Sequence, residues 1–225
     1  MKRRELLTGL AATAAAFAAN LELQAQTQPS SGWPIKPLPF DPKKLKSLSE
    51  KLIVSHHDNN YAGAVKRLNA ITAQLEALDF ASAPVFVING LKREELIASN
   101  SMILHELYFD NLGPGDAPQG ALRDALAHDF ASVEKWAAQF SAMGKALGGG
   151  SGWVLLTYSQ RDSKLINQWA ADHTCCLAGA SPILALDMYE HSYHMDYGAK
   201  AAAYVDAFMN NINWENVSRL HREHA

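Results

Sequence analysis

The chain has 225 residues with a formal net charge of −3, 48% apolar and 19% charged side chains. That composition belongs to a globular protein and excludes a disordered one. The near-neutral charge, with no basic block or polybasic cluster, argues against nucleic-acid and membrane-surface partners.

Lys2, Arg3 and Arg4 precede an apolar Ala/Leu run from Leu6 to Ala19. The run is too short and too weakly apolar for a permanent anchor, so residues 1–25 read as a signal peptide. The Arg3-Arg4 pair followed by Glu5-Leu6-Leu7 resembles a twin-arginine signal, which implies export to the periplasm in the folded state. An ordinary secretory signal is the alternative. Cleavage would leave a mature chain of about −4. Residues 26–37, rich in Gln, Ser and Pro, form a linker.

Residues 38–113 are expected to form an antiparallel helical hairpin. Lys43 to Leu78 contains one Gly and no Pro, and Leu45, Leu48, Leu52, His56, Asn60 and Ala64 recur at three- and four-residue steps. Arg93 to Asn111 predicts the second helix, with Ile97, Ser101, His105 and Tyr108 on one side and Gly113-Pro114 as its stop. The Gly/Pro-rich stretch Pro114–Gly120 marks a boundary, after which residues 121–225 form a C-terminal α+β domain. Its expected helices are Ala121–His128 and Val133–Ala146, the latter capped by Ser132. Expected strands are Trp153–Ser159, Leu165–Ala171 and Pro182–Asp187, in a small three-stranded antiparallel sheet. Helices at Ala199–Met209 and Trp214–Glu223 close an α+β fold.

Asp187 ends a strongly apolar strand, where an unpaired charge is costly unless it binds a partner or a metal. His191 lies four residues on, so one turn brings both side chains to a point. His56 and His105 each sit on an apolar helical stripe facing the other helix of the hairpin. Three imidazoles and one carboxylate suit a redox metal with an open position, although each pair alone also fits a helix cap or a core histidine. Competing motifs fail on spacing. His105-Glu106 opens like HExxH, but Phe109 stands where the second His belongs, and Gly148–Gly152 has neither the Lys-Ser/Thr of a phosphate loop nor the spacing of a nucleophile elbow. The adjacent Cys175 and Cys176, as neighbours unsuited to a relaxed disulfide, read as two small buried apolar side chains.

The segments SHHDNNYAGAVKRLN, LHELYFDNL, DFASVEKW, GSGW, PILALDMYEHSYH and NINWENV, in that order, resemble the iron/manganese superoxide dismutase family from about Leu38 onward. The resemblance implies dismutation of superoxide at one iron or manganese ion held by His56, His105, Asp187 and His191. It implies a homodimer or homotetramer in which Glu190 bridges to the neighbouring subunit's metal-binding His. It also implies a Gln or His beside the bound solvent, and His173 takes that place because Ser101 is too short. The family's gateway His and Tyr are here Asn60 and Ala64, and the Tyr that pairs with that His is His194. Asn60 and His194 therefore read as an exchanged pair serving proton delivery. Tyr61, about 140° round an α-helix from His56, falls off the ligand stripe. Lys200 stands beside Ala201, the place of the family's substrate-guiding Arg. The alternative function is a dismutase-fold metal-binding or interaction protein with little turnover.

Overall fold

The computed structural model describes residues 32–225, so the expected signal peptide and the first half of the linker lie outside the described residues. A 3₁₀ turn at Pro42–Lys44 opens the fold, with Asp41 accepting a hydrogen bond from the Lys43 amide. The helix expected from Lys43 does not continue from it, because Ser47 takes a left-handed conformation at φ 60°. Helix α1 (Glu50–Ser55) starts instead at Ser49, whose hydroxyl accepts from the Leu52 amide. A π-helical segment, His56–Tyr61, follows, and α2 (Ala62–Glu76) continues it. After the Pro84 break, α3 (Val85–Asp110) returns as the second arm, starting eight residues earlier than the periodicity predicts.

The π segment changes which side chains face inward. Its i→i+5 bonding inserts an extra residue per turn. Asn60, expected on the buried stripe, is only half-buried, while His57 and Tyr61 are buried with His56. Beyond it the ordinary period resumes: Val65, Leu68 and Ile71 are buried on the face of α2 that meets α3. Fully burying each such aliphatic side chain is worth about 1.5–3 kcal/mol.

Residues 114–119 carry no regular structure. Helices α4 (Gly120–Phe130) and α5 (Val133–Ala146) then pack on each other. The antiparallel sheet has the order β2-β1-β3, from β1 (Trp153–Ser159), β2 (Lys164–Ala170) and β3 (Ala180–Asp187). Pro182 was expected to open its strand. It lies two residues inside β3 instead, at the register shift opposite Leu156/Thr157, where a bulge removes the need for its missing N–H. Two short helices follow, α6 (His194–Tyr197) and α7 (Ala201–Met209), and α8 (Trp214–His224) ends the chain. Four-residue α6 escapes periodicity because it spans barely one turn.

Pro34–Ala225 packs as one compact unit. The hairpin's end is stitched to the loop after α7, with the Gly113 amide donating to Asn211 O (2.9 Å) and the Asn213 amide to Asn111 O (2.7 Å). Among the described residues no helix is long and apolar enough to cross a membrane.

Candidate metal centre

Four elements converge on one buried point. His56 opens the π segment, His105 lies on α3, Asp187 ends β3 and His191 sits in a 3₁₀ turn, Glu190–Ser192. One ligand atom from each lies within 4.8 Å of all the others. Asp187 Oδ2 is the hub, 3.1 Å from His56 Nε2, 3.3 Å from His191 Nε2 and 3.6 Å from His105 Nε2. His56, His105 and Asp187 are buried, whereas the His191 side chain is 27% exposed and marks the open side of the cluster.

The chain holds these atoms in place through their other hydrogen bonds. Asp187 Oδ1 accepts from the Tyr189 amide at 2.8 Å, which leaves Oδ2 for the centre. The Tyr204 hydroxyl donates to Asp187 O at 2.8 Å, and Ser192 Oγ lies 2.9 Å from the same oxygen. His105 Nδ1 is 2.6 Å from the Ser101 carbonyl, which can only accept. Nδ1 therefore carries the hydrogen and Nε2 presents a lone pair to the centre. His56 Nε2 and His105 Nε2 have no hydrogen-bond partner although both are buried. His56 Nδ1 is unpartnered too, and such imidazole nitrogens gathered around one buried carboxylate are costly in a metal-free protein and satisfied by a cation.

The electrostatics agree. Burial lowers the His105 imidazole to about 3, helped by the neighbouring His56, so it stays neutral. Burial also lowers His56, with Asp187 opposing. For Asp187 burial disfavours the charge, but the facing His191 and His56 outweigh it and hold the carboxyl well below its usual range. One anionic oxygen, the neutral imidazoles of His56 and His105 and the ring of His191 form a donor set suited to a divalent or trivalent first-row metal.

An aromatic wall surrounds the cluster. His56 lies 5.1 Å from both Tyr108 and Phe109, His105 meets Trp153 edge-on at 5.3 Å, and Tyr189 stacks on His191 at 5.4 Å. Sequence reasoning missed Trp153 and Tyr204 as parts of the site. The available signal was that Trp153 directly follows a Gly-rich turn; that it falls opposite Asp187 is set by the sheet register.

Residues 118–220 match the model of the C-terminal domain of iron/manganese superoxide dismutases. Superoxide dismutase [Fe] of Cupriavidus metallidurans is 71% identical over 184 residues, covering 82% of this chain and 93% of that protein. Superoxide dismutase [Mn] 1 of Haloferax volcanii is 36% identical, covering 82% and 92%. Superoxide dismutase [Fe] of Aquifex aeolicus is 32% identical, covering 79% and 85%. The chain belongs to the iron/manganese superoxide dismutase family.

Within this family member, His173 lies beside the cluster, its ring 6.0 Å from that of His105 and stacked on Tyr189 at 4.8 Å. Trp153 Nε1 donates to His173 Nδ1 at 3.1 Å. The indole can only donate, so Nδ1 accepts and the neutral ring's hydrogen sits on Nε2. Burial lowers the His173 pKa and keeps it neutral. The remaining expected residues are not gathered at the centre. Asn60 is half-buried on the π segment, while Glu190, His194 and Lys200 are exposed along the stretch that leads from His191 to α7. Ala64 is buried.

Proposed function

We propose that this chain is a superoxide dismutase with one iron or manganese ion held by His56, His105, Asp187 and His191. The observation that carries the reading is the convergence of a buried carboxylate and three imidazoles, two of them with orphaned Nε2 atoms. The four residues would hold an iron or manganese ion, which would supply the one-electron exchange needed to oxidise one superoxide to oxygen and to reduce a second, with two protons, to hydrogen peroxide. Asp187 contributes the negative charge that favours the higher oxidation state. His105 keeps its donor atom aimed by the bond from Nδ1 to Ser101. The aromatic rings around the cluster help to bury His56, His105 and Asp187. The test is metal content measured alongside superoxide decay. The wild type is expected to carry stoichiometric iron or manganese and to accelerate decay, and Asp187→Ala to lose both. A protein that takes up only zinc and leaves decay unchanged would sink the reading in favour of a binding role.

The finer roles are inferences of the same reading. His173 Nε2–H is the donor to solvent at the centre, supported by the bond that fixes its other nitrogen. His173→Ala should retain the metal and lose about 10–100-fold in turnover; unchanged turnover would remove it from the mechanism. His194 and Asn60 replace the family's gateway pair in supplying protons, and exposed Lys200 attracts the anionic substrate to a chain of net negative charge. Superoxide decay followed across pH and ionic strength in His194→Ala and Lys200→Ala checks both, and profiles matching the wild type would reject them. Residues 1–25 are proposed to direct export to the periplasm through a twin-arginine route. Arg3→Lys with Arg4→Lys should strand the protein in the cytoplasm, whereas normal delivery would indicate the general secretory route.

A further inference from the structure

Glu106 enters the sequence only as the second letter of a protease motif that fails, and Tyr61 only as a residue off the ligand stripe. The structure joins them. Tyr61 closes the π segment that His56 opens, and Glu106 follows His105 on α3. The Tyr61 hydroxyl donates to Glu106 Oε1 at 2.9 Å and accepts from the Lys36 amide at 3.0 Å. Burial raises the phenol to about 12, with the Lys36 N–H opposing, so the hydroxyl keeps its hydrogen. The Lys36 ammonium pairs with Glu106 Oε2. The Lys36 carbonyl accepts from His57 Nε2 at 2.8 Å, and His57 Nδ1 lies 2.8 Å from Asp58. Three stretches of chain therefore meet in one polar network: the segment before the fold, the π segment and α3. Phe109 separates this network from the metal centre, its ring 5.1 Å from His56, 5.5 Å from His57 and 6.3 Å from Tyr61.

The arrangement has a mechanical consequence. A π segment is a rare, easily lost irregularity that reverts to α-helix unless its surroundings hold it, and reversion would rotate His56 relative to the rest of the helix. The Tyr61–Glu106 bond ties that segment to the residue next to His105. We infer that Tyr61, Glu106 and Lys36 are positioning residues, a brace across the hairpin that sets where His56 stands relative to His105 and so how tightly the centre keeps its metal. The inference rests on the metal reading above.

The test uses the full-length protein loaded with iron, as wild type, Tyr61→Phe, Glu106→Ala, Glu106→Gln and the double variant Tyr61→Phe/Glu106→Ala. Three quantities are read: the rate of iron loss to excess chelator, the electron paramagnetic resonance spectrum of the ferric form, and the melting temperature of the metal-free protein. Tyr61→Phe removes one oxygen from a side chain whose ring stays packed, so the fold should persist. Tyr61→Phe and Glu106→Ala should each speed iron loss about 10-fold or more and alter the ferric spectrum. Glu106→Gln, which still offers Tyr61 an acceptor, should rescue most of that loss. The double variant should be no worse than the worse single one, because both cut the same bond. Variants that lower only the melting temperature, with spectrum and iron loss as in the wild type, would overturn the brace while leaving the metal centre standing. A wild type that holds neither iron nor manganese would overturn both.

Discussion

At the residue scale, the centre illustrates how a buried polar group is made affordable by what its other atoms do. Asp187 could not sit fully buried at a strand end without the Tyr189 amide on one oxygen and imidazoles around the other. The same burial creates a liability in acid. His105 is held near 3 in the folded chain, while its unfolded value is near 6.5. Above about 6.5 neither state binds the proton, so the group contributes nothing to pH dependence. Below it the unfolded chain takes up a proton that the folded chain refuses, and the metal-free protein should lose about 1.4 kcal/mol per pH unit from this group down towards pH 3. Urea unfolding of the metal-free protein across that window measures the slope, and His105→Gln should reduce it to the part that His56 and Asp187 contribute. The ligand residue types and their spacing were legible because each stands out against an apolar stripe. Tyr189 N, Ser101 O and Tyr204 Oη were not legible, since nothing in a sequence says which backbone atom will face a ring.

At the element scale, helices and strands with a clean period were readable and irregular ones were not. α5 and β1 match the expected spans residue for residue, because Ser132 caps the one and Gly152 introduces the other. The π segment was not readable. Its sequence, HHDNNY, is compatible with an ordinary helix, and the extra residue is held by contacts from α3 and from the chain before the fold. Gly152 carries a constraint that sequence only hinted at. It sits at φ +127°, and a Cβ there would come within 2.2 Å of Ala170 O, while its own carbonyl accepts from the Met188 amide beside Asp187. Gly152→Ala should therefore destabilise the protein by about 1–3 kcal/mol or more from backbone strain alone. It should also loosen the metal, because the displaced strand carries the partner of Asp187. Thermal melting with and without bound metal separates the two effects, and an unchanged melting temperature would contradict the argument.

At the scale of the whole molecule, the centre is open on the side of His191, and the exposed Glu190 next to it makes no side-chain bond that the described chain supplies. A second copy placing its own His191 against Glu190 is the proposed closure. Truncating one partner of such a charged hydrogen bond costs roughly 2–5 kcal/mol. Glu190→Ala should therefore shift the protein towards monomer and weaken metal retention together. Sedimentation at nanomolar concentration checks this, and a variant that remains dimeric with its metal would refute the bridge. By itself the sequence determined the α+β class, the three-stranded antiparallel sheet, the helical hairpin and the four residues that could share a metal, since these follow from apolar period and from the cost of burying charge. Only the tertiary structure decided that Lys36, Tyr61 and Glu106 meet, that Trp153 orients His173, and that His105 Nε2 rather than Nδ1 faces the centre. Those depend on distances between segments far apart in the chain, which packing sets and local pattern does not encode.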